Sequence, residues 1–178
     1  MRLTAERLVL RPFTAADAPV LAAYRSDPDV ARYQGWDTPF PLAQAEAFVR
    51  EIGGVDPTAP GWFQWAIDVG GVLVGDVGVN LHENRRQADI GYTVATGHQG
   101  RGYATEAVRR VLAHLFDERG LHRVSAECDA RNQRSARLLV RVGFHQEGHR
   151  VQNTWSKGEW TDDLLFGLLA AEWRTREA

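Results

Sequence analysis

Residues 98–107, HQGRGYATEA, are the stretch of this chain whose residue types and spacing best suit chemistry. Gly97, Gly100 and Gly102 remove side chains where a strand-like run (88–94) gives way to a strongly periodic helix (102–118). A helix start carries unpaired backbone N–H groups and the positive end of the peptide dipole. Glycines ahead of it let a polyanion come within hydrogen-bonding distance, so the run can cradle a phosphate or pyrophosphate on main chain alone. The same glycines also suit a plain turn between strand and helix, and the glycines by themselves do not choose. Two familiar phosphate patterns do not fit. A P-loop needs Gly-Lys-Ser/Thr, which is absent. The dinucleotide fingerprint G-x-G-x-x-G has Gly100 and Gly102 but Thr105 in the place of its third glycine.

The elements that must position this loop follow from hydrophobic period. Residues 7–12 alternate weakly as a first strand. Thr14 is placed as an N-cap, with Asp17 in a near capping box. Val20, Leu21 and Tyr24 give the following helix an apolar stripe until Asp27-Pro28 ends it. A short helix over 28–33, a loop over 34–41, a helix over 42–52 and a loop over 56–61 come next. From Trp62 the period becomes two: Phe63, Trp65 and Ile67 alternate with Trp62, Gln64 and Ala66. Gly70-Gly71 supplies a hairpin turn, and strands over 72–81 and 87–94 complete a meander. After the glycine loop, Ala104, Ala107, Val108, Val111, Leu112 and Leu115 share one helix face. Glu106 is spaced to pair with Arg110, and Gly120 to close the helix. A strand over 123–130, a helix over 132–142 closed by Gly143-Phe144, and strands over 145–151 and 161–169 about Lys157-Gly158 end the pattern. This order predicts one mixed α/β domain over residues 1–178.

Composition bounds the function classes. A chain of 178 residues is ample for one core, and a net charge of −2 gives no general nucleic-acid surface. Cys128 is the single cysteine, which excludes an internal disulfide and fits a reducing cytoplasm; its place in a strand predicts a buried, inert thiol. No apolar run reaches membrane-spanning length, and the N-terminus has no signal-peptide core. His82, His98, His114, His122, His145 and His149 lack zinc-ligand spacing, so no metal is expected. No G-x-S-x-G supports a serine hydrolase.

Gln99, Gly102 and Ala104 also fill, in order, the pattern Q/R-x-x-G-x-G/A, the acetyl-CoA loop of the GCN5-related N-acetyltransferases (GNAT), which this stretch resembles closely. Residues 132–144, NQRSARLLVRVGF, resemble the family's N-x-x-A/S, helix and Gly-Phe, matched by Asn132, Ser135, Gly143 and Phe144. The opening TAERLVLRPFTAADAPVL is similar to that of the Rim-type branch, which includes acetyltransferases of ribosomal-protein N-termini. The resemblance covers nearly the whole chain. It implies an α+β GNAT fold with a mixed, mostly antiparallel central sheet flanked by helices. It also implies acetyl-CoA-dependent transfer to a primary amine, on a protein N-terminus or a small molecule.

The site residues implied follow from the matched motifs. Gln99, Gly100, Arg101, Gly102, Tyr103, Ala104 and Thr105 would hold the CoA pyrophosphate, and backbone amides near Tyr92, Thr93 and Val94 would stabilise the oxyanion. Asn132 would contact pantetheine, a role compatible with capping its helix. Many relatives place a tyrosine four residues before Gly-Phe as acid for the departing thiolate. Leu139 stands there, and Ser135 is the replacement the Rim-type resemblance implies. Asp89, on the strand before the loop, is the first candidate base, with His82, Glu83 and Glu127 as others; water can also carry the proton. Tyr33, Trp36 and Phe40 lie in the segment that shapes the acceptor site in relatives, or else cover the edge of the core. The expected partner is the amine acceptor, with no nucleic acid or membrane, in a cytoplasmic monomer or homodimer. The competing class is a non-catalytic GNAT-like module that binds acyl-CoA as sensor or scaffold; a nucleotide-dependent oxidoreductase is disfavoured by Thr105.

Overall fold

Alternation builds the sheet. In the computed structural model, which describes residues 1–177, the strands are β1 (Leu3–Thr4), β2 (Val9–Arg11), β3 (Gly61–Val69), β4 (Val72–Leu81), β5 (Gln87–Val94), β6 (Arg123–Asp129), β7 (His145–Ser156) and β8 (Glu159–Leu169). They form one sheet in the order β1-β2-β3-β4-β5-β6-β8-β7. β5 and β6 run parallel, and the other neighbours are antiparallel. The mixed, mostly antiparallel sheet is therefore present. The strand expected at 7–12 is shorter and is preceded by β1. The last hairpin is longer than expected at its turn end, because a register irregularity between Arg150 and Thr154 interrupts the period of β7.

Helices cover both faces. On one side α1 (Ala18–Ser26), α2 (Pro28–Ala31) and α3 (Leu42–Gly53) enclose a smaller core of Phe13, Leu21, Tyr24, Phe40, Val49, Ala66 and Leu73. Val20 faces solvent instead of completing the stripe of Leu21 and Tyr24. On the other side α4 (Tyr103–Ala113) and α5 (Gln133–Val142) pack on Phe63, Trp65, Ile67, Val77, Val79, Ala88 and Ile90. Ala107, Val108, Val111 and Leu112 of α4 have no exposed surface, each of the larger ones contributing about 1.5–3 kcal/mol by leaving water. The helix then widens into a π turn over His114–Glu118. An unforeseen helix, α6 (Ala170–Glu177), follows β8 and is pinned by Trp173, stacked on Phe116 with centroids 6.0 Å apart.

Ion pairs centred on Arg11 and Arg7 tie the elements together. Arg11 on β2 grips Asp17 with both Nη atoms at 2.8 Å and reaches Asp68 on β3 with Nε at 2.8 Å. The Asp17 carboxylate also accepts from the Thr14 N–H at 2.7 Å, so the near capping box is used. Burial alone would raise the Asp17 pKa, but the bonds from Arg11 and Thr14 outweigh it and hold the carboxyl below its ordinary range. The pairing expected between Glu106 and Arg110 is replaced: Glu106 takes Arg7 from the segment before β2, and Arg110 takes Glu118.

Candidate acetyl-transfer site

The site begins where two strands part. The β5–β6 ladder runs from Gln87↔Arg123 to Ile90↔Ala126 and stops, although β5 continues to Val94 and β6 to Asp129. β5 stays paired to β4 as far as Gly75↔Val94. Residues 91–94 thus have a ladder on one edge and a gap on the other. The gap leads to the N-terminus of α4 through a 3₁₀ turn, Thr96–His98, and the glycine loop.

The loop is shaped as its glycines require. Gly100 and Gly102 have φ of 75° and 83°, conformations that side chains disfavour. The first helical bond donated in α4 is Glu106 N–H to the Gly102 carbonyl, so the amides of Tyr103, Ala104 and Thr105 have no acceptor within the helix. Gln99 is exposed, and both ends of its amide are hydrogen-bonded. Its Nε2 donates to the Val94 carbonyl at 2.9 Å and its Oε1 accepts from Arg134 at 3.3 Å, which ties the loop to the end of β5 and to α5. Arg7 fastens the other side: it donates to the Arg101 carbonyl at 3.0 Å, pairs with Glu106 at 2.7 Å and lies over the Tyr103 ring. An anion cradle of unpaired amides beside Arg7 and Arg134 fits a pyrophosphate. Arg7 was missed in the sequence because Glu106 lies 99 residues away and no local pattern links them.

Side-chain alternation sorts the candidate residues across the gap. Ala88, Ile90, Tyr92 and Val94 face α4 and α5. Asp89, Gly91 and Thr93 therefore face the other side. On the helix side, Asn132 caps α5 by accepting from the Ser135 N–H at 3.1 Å. The Ser135 hydroxyl lies 2.8 Å from the Tyr92 hydroxyl, and Cys128 adjoins the pair. Burial pushes the Cys128 thiol up to about 11 and the Tyr92 phenol well above its usual value. The thiol is half-buried and stays protonated at neutral pH, as expected of an inert cysteine.

On the opposite side Asp89 Oδ2 accepts from Asn80 Nδ2 at 3.1 Å and lies 2.9 Å from His82 Nε2. Glu127, the first β6 residue past the last ladder pair, is raised by burial and by the negative charges of Asp163 and Asp89, against the pull of Arg150 at 3.6 Å. Glu83 lies in the exposed turn between β4 and β5. Thr93 is 6% exposed beside Asp76, so only its backbone is placed for the gap. The three aromatic candidates separate. Phe40 is 4% exposed and supports Trp36 edge-on at 6.4 Å from within the smaller core, the packing alternative for this residue. Trp36 is half-buried, donating to the Arg25 carbonyl at 2.9 Å; its own carbonyl accepts from Lys157 at 2.6 Å, which links the β7–β8 turn to this loop. Tyr33 lies between the guanidinium groups of Arg32 and Arg131. Beneath Trp36, Arg25 is buried between the Trp36 and Phe48 rings and 3.8 Å from the buried Asp76.

The model of the acetyltransferase (GNAT) domain matches residues 7–145. The chain belongs to the GNAT acetyltransferases. It is 33% identical over 175 residues to the uncharacterized N-acetyltransferase p20 of Bacillus licheniformis, covering 96% of this chain and 97% of that one. The solved GNAT-family acetyltransferase from Bacillus anthracis superposes with a TM-score of 0.88 at 28% identity, over 97% of this chain and all (100%) of that one. The [ribosomal protein uS5]-alanine N-acetyltransferase of Escherichia coli (strain K12) is 31% identical over 84 residues, 47% of this chain and 43% of that enzyme, which supports the Rim-type branch. This GNAT protein is an N-acetyltransferase, and among its described residues no helix is long and apolar enough to cross a membrane.

Proposed function

We propose that this GNAT enzyme moves an acetyl group from acetyl-CoA to a primary amine by direct attack on the thioester. The observation that carries the reading is the parting of β5 from β6 just past Ile90 and Ala126, leading to the unpaired amides at the start of α4. In this reading the 99–105 loop holds the pyrophosphate. Pantetheine lies along residues 91–94, and a main-chain amide of that edge stabilises the oxyanion. The unpaired strand edge suits an amide-bearing chain, which can complete the missing ladder bonds.

The two sides of the gap divide the proton work. Asp89, oriented by Asn80 and His82, takes the proton from the incoming ammonium on one side. Nitrogen then attacks the thioester carbon and gives up its second proton to water as the C–S bond breaks. The leaving sulfur meets the Ser135 hydroxyl at the start of α5 on the other side. Glu127 and Asp163 add negative charge on the amine side, which favours a cationic acceptor. Trp36, joined to the β7–β8 turn by Lys157, and Tyr33, beside Arg131, bound the acceptor's approach. The uS5-directed relative makes an N-terminal alanine the first acceptor to test.

The experiment follows free thiol release from acetyl-CoA with an alanine-initiated uS5 peptide, spermidine and a panel of small amines. Saturable turnover with one class and an acetylated product by mass spectrometry is expected. Acetyl-CoA binding with no turnover on any amine would replace this reading with the acyl-CoA-binding module.

A further inference from the structure

We infer that Tyr92 is a positioning residue for acetyl transfer: its phenol sets the direction in which the Ser135 hydroxyl donates, so that this hydrogen is available to the leaving sulfur. The inference rests on the proposed role of Ser135 and adds a residue to it. Tyr92 sits on the unpaired stretch of β5 and spans the gap to the first turn of α5. Its hydroxyl lies 2.8 Å from Ser135 Oγ and 3.2 Å from the Ser135 carbonyl oxygen.

One phenol hydrogen serves these two acceptors, and this makes two arrangements. If Tyr92 donates to the carbonyl, Ser135 Oγ–H is drawn to the phenol oxygen and is spent there. If Tyr92 donates to Ser135 Oγ, the serine hydrogen turns outward and its oxygen is already satisfied. A negative sulfur at the end of the gap selects the second arrangement, because donating to a charged acceptor is worth roughly twice a neutral bond. Donation from Tyr92 also polarises the serine O–H and strengthens the bond it gives. The phenol keeps its own proton throughout: burial raises its pKa, so a phenolate here is far costlier than a CoA thiolate. The Ser135 hydroxyl likewise keeps its proton and donates a hydrogen bond to the departing thiolate; the proton that finally neutralises the sulfur comes from water. Tyr92 loses no bond and changes no charge.

Tyr92→Phe removes the hydroxyl and keeps the ring, which packs against the main core. The test compares Tyr92→Phe, Ser135→Ala and the double variant, each checked for an unchanged melting temperature. Tyr92→Phe should lower kcat about tenfold with the KM for acetyl-CoA within about twofold of wild type, and should add nothing in the Ser135→Ala background. A second readout needs no acceptor. Thiolate ultraviolet absorbance of bound free CoA, titrated against pH, should show the CoA thiol ionising at higher pH in both single variants than in wild type. A loss in Ser135→Ala with a normal Tyr92→Phe would overturn the positioning role and leave Ser135 in place. Additive losses would overturn it too, as Tyr92 would then act independently. If Ser135→Ala itself is normal in both readouts, the proposed role of Ser135 fails and this inference with it.

Discussion

At the scale of single residues, the site depends on positions where a small change separates backbone shape from charge. Gly102 has φ of 83°, and a Cβ there would lie 3.1 Å from Arg7 Nη2. Gly102→Asp therefore adds strain and places a negative charge at the α4 amides. Gly120, at the far end of the same helical stretch, has φ of 68° and open space beside it, so Gly120→Asp carries comparable backbone strain without the charge at the cradle. Calorimetry should show acetyl-CoA affinity falling about tenfold or more in Gly102→Asp and staying near wild type in Gly120→Asp; equal affinities would move the pyrophosphate elsewhere. The carboxylates on the amine side divide in the same way. Asp89→Asn should lower kcat/KM about 10²-fold at neutral pH, the loss expected of a positioned base. Glu127→Gln should mainly raise the amine KM. Because the Glu127 pKa is raised, its carboxylate forms later than an ordinary glutamate, so the wild-type amine KM should fall as pH rises through that region. The reverse pattern in the two variants would make Glu127 the base.

At the scale of elements, Arg11 and Asp17 join β2, the turn before α1 and β3. The two side chains are 12% and 7% exposed, so removing Asp17 takes two charge-assisted bonds from a largely buried guanidinium and leaves Asp68 as its remaining carboxylate partner. Asp17→Ala should cost about 3 kcal/mol in urea unfolding at neutral pH. The sign with pH follows from the lowered pKa of Asp17. The pair contributes fully above the unfolded carboxyl's ordinary range, near pH 4, and that contribution is lost as pH falls through the lower native value. The difference between variant and wild type should therefore shrink in acid; a constant difference would mean that packing, not the ion pair, is what Asp17 supplies. Such ties mark the limit of what the sequence makes legible. The meander over β3 to β5, the glycine loop, α4 and α5 could be read because period and turn residues are local signals. Asn132 was legible as a cap for the same reason. The Arg7–Glu106 pair, the Tyr92–Ser135 contact and the parting of β5 from β6 join residues far apart in the chain, where no spacing rule reaches. α6 escaped because one buried Trp173 makes no period, and its fit depends on Phe116 from another element.

At the scale of the whole molecule, the long central strands share only a short ladder where the ligand is proposed to lie. Between β5 and β6 the sheet is held by four ladder pairs, Gln87↔Arg123 to Ile90↔Ala126, whereas β4 and β5 pair over seven, Gly75↔Val94 to Leu81↔Ala88. Across that seam the packing of α4 against α5 and the contact from Tyr92 to Ser135 carry the rest. A molecule that pairs with residues 91–94 and binds the start of α4 adds bonds across this seam and binds the native state alone. At acetyl-CoA a hundredfold above its Kd the added stability is about 2.7 kcal/mol. For a chain of this size roughly 2–4 °C accompanies each kcal/mol, so the melting temperature should rise by about 5–10 °C. NAD, which carries a pyrophosphate but no pantetheine, should give a much smaller rise at the same concentration. Hydrogen exchange locates the effect: the new protection should fall on residues 91–94 and on the amides of Tyr103, Ala104 and Thr105, with β1, β2 and β3 changing only through global stability. Equal shifts with acetyl-CoA and NAD would mean that the helix start binds any pyrophosphate and that the parted strands take no part. Protection centred away from the seam would remove the gap from the proposed site altogether.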